Sequence, residues 1–544
     1  MPCCSPRITA LIRATLAVLL LGGAATARSA DPLPAVDVSP VKKLEAPSAL
    51  PANWKHGAFV EIFVRSYQDS DGDGKGDLRG LISRLDYLRD LGITGIWLMP
   101  ITESQDKDHG YAVANYRSVD RDYGTLADFD ELLRQAHARG IGVIIDYVIN
   151  HSGGMNPLFV NSNDSPKNPY RDWYIWRNKA PDGWNIYGQD PWYDGSHGVY
   201  FAGFWSQMPD FNLNNPKVVA YHLDNLRFWL NRGVDGFRFD AVGHLIENGP
   251  AAWENQKENH ALMGKVREVV MGYPNRYMVC ESPAASRAFA MPQSCDSAFG
   301  FPLQTSLVTA ATGDSVAIEE VAAFWQTSPL TMASFLSNHD AFAGDRVWDQ
   351  LAGDRAQYRL AAASNLLLAG TPFIYYGEEI GISGATKLQG DPRLRTPMSW
   401  TGDKATGGFT SGKPYRPLSS NVAKNNVAAA QAAEDSLLAF YKSVIALRKS
   451  RESLMRGKHE RVVAAGRILS TQRVLPNERS VVIFNYGSKD ATANLQHLPA
   501  GATLRALWPR GGAKFSASSK GGASVPMPKQ SFAVFAVESP AAAH

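Results

Sequence analysis

Gly236-Phe237-Arg238-Phe239-Asp240 is a short apolar run that ends on an acid, and its form governs the reading of the whole chain. Residues 234–239 are too few for a helix and read as a buried strand. Short apolar runs recur along the sequence, at 58–64, 96–99, 141–147, 277–280, 298–301, 333–336 and 372–376, which makes eight strand candidates, most of them with an acid at or near the end. Helical stripes separate them: Leu78, Leu81, Ile82, Leu85 and Leu88 recur at spacings of three and four, as do Leu126, Phe129, Leu132, Leu133 and Ala136 before Gly140. Continuously apolar strands alternating with helices belong to parallel sheets. Between an open doubly wound sheet and a (β/α)8 TIM barrel, the acids Glu61, Asp146, Asp240, Glu281, Asp340 and Glu378 favour the barrel, because a barrel gathers its strand ends at one mouth.

Outside that series the chain changes character. Arg7 and Arg13 precede an apolar run at 16–21 and the small residues Ala25-Thr26-Ala27, the layout of an export signal over 1–27. That run falls short of the roughly 20 apolar residues a membrane span needs. The expected product is a soluble monomer, periplasmic or extracellular, without a membrane partner. Residues 28–50 read as an extended linker, 51–450 as the barrel, 152–208 as a subdomain inserted after the third strand, and 451–544 as an antiparallel β-sandwich with strands at 461–475, 480–486, 502–508 and 531–537. The insertion carries Trp173, Trp176, Trp184, Trp192 and Trp205, which either stack on flat ligands or form a small aromatic core. Cys3 and Cys4 fall in the signal; Cys280 and Cys295 either pair or stay as two buried thiols. The 544 residues carry 55 Lys+Arg against 52 Asp+Glu, a formal charge of +3 that gives no cationic footprint for nucleic acid and points to a neutral ligand.

In a strand, residues two apart share a face, so Arg238 points the same way as Asp240 and keeps it ionised. With Glu281 and Asp340 at other strand ends, the acids suit glycoside hydrolysis with retention, which needs an attacking carboxylate and a protonated carboxyl about 5 to 5.5 Å apart. Spacing alone does not choose among them. In Asp69-Ser70-Asp71-Gly72-Asp73-Gly74-Lys75-Gly76-Asp77 oxygen ligands recur at every second residue, which suits calcium. It is not an EF-hand, because Gly80 stands at the twelfth position.

Six segments occur in a fixed order: Asp146-Tyr147-Val148-Ile149-Asn150-His151, Met208-Pro209-Asp210-Phe211-Asn212, 236–244, Val279-Cys280-Glu281, 335–340 and 370–379. Together they resemble the motifs of the α-amylase superfamily, glycoside hydrolase family 13, over residues 51–540, near its group intermediate between α-amylases and oligo-1,6-glucosidases or α-glucosidases. The resemblance implies a retaining α-glucan hydrolase that cuts α-1,4 bonds of starch-derived chains or maltooligosaccharides. It makes Asp240 the nucleophile, Glu281 the acid and base, and Asp340 the binder of the sugar's 2- and 3-hydroxyls. Arg238 would orient Asp240, His151 and His339 would bond sugar hydroxyls, and Tyr111 would stack on the ring. Asp108 and Arg395 match a pair that closes the site in exo-acting relatives, so an exo α-glucosidase or transglucosylase is the alternative. A non-catalytic carbohydrate-binding relative would have lost an acid, and all three are present. Ala241 resembles the α-1,4-acting members, whereas Gly243 and Ala112 stand where many relatives carry Lys and Asp. The resemblance also implies calcium (Ca2+) at Asp69, Asp71, Asp73, Lys75 and Asp77, and a second calcium at Asn150, Asp210 and the backbone of His244.

Overall fold

Residues 33–368 and 370–539 are described by a computed structural model; the expected signal with Cys3 and Cys4 lies outside the described residues. Parallel strands β1 (Phe59–Ile62), β2 (Gly95–Leu98), β3 (Gly142–Tyr147), β4 (Gly236–Phe239), β5 (Tyr277–Cys280), β6 (Ala333–Ser334) and β7 (Thr371–Tyr375) form one sheet in the order β5-β4-β3-β2-β1-β7-β6. The expected strand at 298–301 is instead a pair of single bridges, Cys280 with Ala298 and Phe299 with Ala333, because a helix already begins at Phe301–Ala311. Those bridges lie between β5 and β6 and nearly close the barrel.

Side-chain alternation places the chemistry. Phe59, Trp97, Ile144, Val279, Phe299 and Phe373 belong to one buried cluster that fills the barrel interior, with Leu50 and Trp54 reaching it from the segment before β1. Two residues further along their strands, on the same face, come Glu61, Asp146 and Glu281. The register of β3 against β4 pairs Asp146 with Arg238. Phe59 sits opposite Gly95, where an added Cβ would lie 2.5 Å from the Phe59 ring, so a ring of that size at the barrel floor demands glycine on β2.

The stripe at 126–136 forms the helix Leu126–His137, opened by a reciprocal capping box between Thr125 and Asp128. The stripe at 78–88 is two helices, Leu78–Ser83 and Leu85–Leu91, broken at Arg84, whose guanidinium turns onto the Trp400 ring at 4.0 Å and donates to Gln68. In the insertion, the helix Pro157–Asp164 packs on a three-stranded antiparallel sheet of Trp176–Arg177, Trp192–Gly195 and Gly198–Phe201. Four of its five tryptophans form aromatic core: Trp173 and Trp192 are buried, Trp176 stacks on Phe159, and Trp184 meets Trp192 and Phe201. Trp205 is exposed, and none of the five lines the barrel-mouth cavity.

The C-terminal part carries a six-stranded antiparallel sheet and a two-stranded one. The run read as one strand at 461–475 is a hairpin, Lys458–Ala465 and Ile468–Leu475, turning at Gly466 with φ +61°. Buried Arg473 fastens this sheet to the barrel by donating to the carbonyls of Leu367 and Leu368, at the C-terminal end of the helix Arg355–Leu368, where cations are favoured. Segment 33–50 has no regular element and is tied to the barrel by Arg117 to Asp37 and by Asn231 to the carbonyl of Lys42. Cys280 and Cys295 form a disulfide. Among the described residues no helix is long and apolar enough to cross a membrane.

Overpacking of a filled core costs about 1–3 kcal/mol. Gly95→Ala is therefore expected to lower the thermal midpoint measured by calorimetry, and an unchanged midpoint would contradict the floor packing described above.

Candidate active site

Arg238 is the hub of the barrel mouth. Its side chain, 1 % exposed, donates from Nη1 to Asp240 at 2.7 Å and to Asp146 at 2.8 Å, and from Nη2 to Glu281 at 2.6 Å. Three strands supply this group: β3 brings Asp146, β4 brings Arg238 with Asp240 just beyond its end, and Glu281 follows β5. Ala241 has a φ of +46°, an uncommon left-handed backbone for a residue with a Cβ, and its N–H donates to Glu281 Oε2. The turn that presents Asp240 is thereby tied to the neighbouring acid.

Asp340 completes the cluster from the loop after β6. Arg395 Nη2 holds one of its oxygens at 3.2 Å and His339 Nε2 the other at 3.1 Å. His339 reaches back through Nδ1 to Glu61 at 2.6 Å, and its Nε2 also meets the Tyr111 hydroxyl at 2.8 Å. That hydroxyl donates in turn to Asp146. Every acid at the mouth is thus held by a neighbour that is itself held.

Burial dominates the electrostatics. It raises Asp240 to about 6 against the downward pull of Arg238, and raises Glu281 to about 7 against the same cation. The interaction of the two carboxyls pulls Asp240 down and pushes Glu281 up, so of the two Glu281 keeps its proton to the higher pH. Asp340 is raised to about 7 by burial against the pull of Arg395. Burial lowers His151 to about 3, leaving the ring neutral, and its buried Nε2 has no protein partner although the residue lines the cavity. A buried polar atom of this kind is available to a ligand hydroxyl.

The cavity measures about 570 Å³ and is lined by Tyr111, His151, Asp240, Glu281, Asp340 and Arg395, among others. Nη1 of the lining residue Arg395 lies 3.5 Å from Asp108, and Arg416 also donates to Asp108. Arg395 further pairs with Asp391 at 3.1 Å. Sequence reasoning found Asp108 and Arg395 and missed Arg416 and Asp391. The i, i+4 spacing of Asp391 and Arg395 was a usable signal, whereas Arg416 lies in an irregular stretch that offered none.

Of the residues expected to bind calcium, the structure gathers Asp69, Asp71 and Asp77, with one carboxylate oxygen from each within 4.8 Å of the others. Ca–O distances of about 2.3–2.6 Å set opposite ligands about that far apart, so the three fit around one ion. Asp73 stands outside the group because its carboxylate pairs with the Lys75 ammonium at 3.2 Å, and Lys75 also reaches Asp122. The loop is stitched to 409–415: Thr410 donates to Asp69, and the Tyr415 N–H to the Gly74 carbonyl. In the second expected set, Asn150 donates to Asp210 at 3.0 Å, and burial raises Asp210 to about 8. The ring of His244, whose backbone is the third expected ligand, meets the Tyr187 hydroxyl and stacks on Trp253.

A family model described as "Alpha amylase, catalytic domain" matches residues 61–457. Alpha-amylase 3 of Dictyoglomus thermophilum is 35 % identical over 458 residues, covering 82 % of this chain and 87 % of its own. The oligo-1,6-glucosidase of Parageobacillus thermoglucosidasius is 30 % identical over 523 residues, covering 80 % and 91 %. The crystal structure of the alpha-amylase from H. orenii superposes with a TM-score of 0.77 at 32 % identity, over 89 % of this chain and all of that one.

A reaction that needs Asp240 ionised and Glu281 protonated runs between their two titrations. Activity on an α-glucoside is therefore expected to rise through about pH 6 and to fall above about pH 7. Initial rates across pH 4 to 9 test this, and a rate still climbing at pH 9 would contradict it.

Proposed function

The chain belongs to the α-amylase family of glycoside hydrolases, and from that premise we propose that it is a retaining hydrolase of α-1,4-glucosidic bonds in starch-derived chains and maltooligosaccharides. The observation that carries this reading is that the Asp240 and Glu281 carboxyls accept from the two terminal nitrogens of one guanidinium, at 2.7 and 2.6 Å. Carboxyls held on neighbouring nitrogens of one guanidinium are near each other, as the members of a retaining pair are. An inverting pair, about 6.5–9.5 Å apart, leaves room for a water between its members.

In this reading Asp240 Oδ attacks the anomeric carbon while the Glu281 proton passes to the departing glycosidic oxygen, which breaks the C1–O bond and leaves a glucosyl ester. Glu281, now a carboxylate, takes a proton from water as the water oxygen attacks C1 and the ester bond breaks. Arg238 keeps Asp240 ionised before attack and balances the charge of Glu281 after it. Asp340, fixed by Arg395 and His339, accepts hydrogen bonds from the sugar's 2- and 3-hydroxyls. His151 supplies its free Nε2 to the same ring, and Tyr111 lies against its face.

A second reading, exo-acting release of terminal glucose, is favoured by the ion pair between Asp108 and the cavity-lining Arg395, the two residues that the resemblance makes a site-closing pair. We further propose that Asp69, Asp71 and Asp77 hold a calcium ion, which supplies fixed positive charge to the loop and takes no part in the reaction. The disulfide and the N-terminal pattern support export to an oxidising compartment, periplasmic or extracellular.

A time course on maltoheptaose, resolving chain lengths and the anomer first released, tests the central proposal. Early mixed short products of α configuration are expected; glucose with maltohexaose in first place would move the assignment to the exo reading, and β products would defeat retention altogether. Chelation with EDTA is expected to lower the thermal midpoint and added calcium to restore it. No shift, together with no metal by elemental analysis, would remove the ion from this account.

A further inference from the structure

The barrel has one weak seam, and Glu281 stands beside it. Strand β5 pairs with β4 along its whole length, Tyr277 to Cys280 against Gly236 to Phe239. On its other edge, among the described residues, two backbone bonds cross to the next segment, and both use Cys280. Its N–H donates to the Ser297 carbonyl at 3.0 Å, and its carbonyl accepts from the Phe299 N–H at 3.1 Å. Glu281 follows immediately. Its N–H donates to the Phe239 carbonyl at 2.9 Å and its carbonyl accepts from the Val242 N–H at 3.1 Å, while its carboxylate accepts from Arg238 and from the Ala241 N–H. All of these partners lie on β4 or in the turn after it, so none of them restrains Glu281 from the side of the seam.

A covalent bond does. Cys280 is joined to Cys295, and both residues are fully buried. Alternation along β5 sets neighbours on opposite faces. Cys280 packs with Met278, Phe289 and Cys295 in the core outside the strands, whereas Val279 belongs to the barrel interior and Glu281 lines the cavity above it. The bridge therefore grips the outer face of the residue next to the acid and leaves the acid's own side chain free for the cavity. The loop it closes begins with Glu281, and Ser282 and Pro283 of that loop line the same cavity. The far anchor is fixed in turn: the Cys295 N–H donates to the Phe289 carbonyl at 2.9 Å, and the Thr331 hydroxyl, just before β6, to the Ala290 carbonyl at 3.2 Å. Two bonds at a single residue give this edge of β5 one point of attachment, and the disulfide gives it a second.

We propose that the Cys280–Cys295 disulfide is a positioning device for Glu281: it stands in for the absent strand ladder at the seam and holds the carboxyl where its proton reaches the leaving oxygen. The proposal rests on the retaining reading above, in which Glu281 is the acid. With both cysteines buried, the bridge acts through the backbone and not on the sugar. A misplacement of about 1 Å at a reacting group costs on the order of a hundredfold in rate, so a small swing of the β5 end registers in catalysis before it registers in folding.

The test compares two substrates that differ in their need for an acid. The glycosidic oxygen of maltotetraose needs a proton to leave, whereas fluoride departs from α-glucosyl fluoride without one. In Cys295→Ala, and in Cys280→Ala/Cys295→Val, which restores most of the lost volume, kcat/KM for maltotetraose is expected to fall at least tenfold relative to that for α-glucosyl fluoride. Glu281→Gln is the reference, and its ratio should fall further still. Cysteine variants that keep the wild-type ratio while Glu281→Gln lowers it would overturn the proposal. So would two activities that fall together, or two variants that do not fold, because the bridge would then support the barrel as a whole and not the acid. An unchanged ratio in Glu281→Gln, or a wild-type protein that turns over neither substrate, would instead overturn the acid assignment beneath it.

Discussion

One buried guanidinium holds the active site together. Arg238 brings a permanent positive charge into the barrel, and that cost is offset only because Asp146, Asp240 and Glu281 each accept a hydrogen bond from it. The dependence is mutual. Without the cation the acids would be buried beside one another and would hold their protons to higher pH. With it, the environment sets two like carboxyls apart, Glu281 above Asp240, and in the proposed reading that lets a single site offer a nucleophile and an acid at the same pH. The register of β3 against β4, fixed by the packing of the floor, is what sets Asp146 beside Arg238.

Around this hub the structure is layered by function. Below it, apolar rings fill the barrel. Level with it, Glu61, His339 and Tyr111 connect Asp340 to Asp146 through hydrogen bonds. Beyond it, irregular loops bring Asp108, Asp391, Arg395 and Arg416 together through ion pairs. The acidic loop at 69–77 joins this outer layer, because its stitching to 409–415 runs directly into Arg416. A cation in that loop would steady the arginine that pins Asp108 without touching the reaction.

The sequence was legible where chemistry and period coincide. Short apolar runs, most of them with an acid at or near the end, located seven strands, and the two-residue spacing of Arg238 and Asp240 foretold their contact. It was less legible where tertiary context decides. Nothing local marks residues 298–299 as bridging β5 to β6 rather than forming a full strand. The stripe at 78–88 conceals a break because Arg84 is drawn to Trp400, more than 300 positions away in sequence. Asp73 has the same spacing as its neighbours in the acidic loop, and only the nearby Lys75 ammonium removes it from the carboxylate group. Tyr187 and Phe342 lie in loops without periodicity, so their place at the cavity emerges only in three dimensions.

The central claim is that Asp240 forms a covalent bond to the sugar. A fluorinated α-glucosyl fluoride that forms the ester quickly and loses it slowly, followed by proteolysis and mass spectrometry, tests this directly. The account predicts one added glucosyl mass per chain, carried by the peptide that contains Asp240. A label on Asp146, Glu281 or Asp340, or turnover with no covalent adduct and an inverted product, would contradict it.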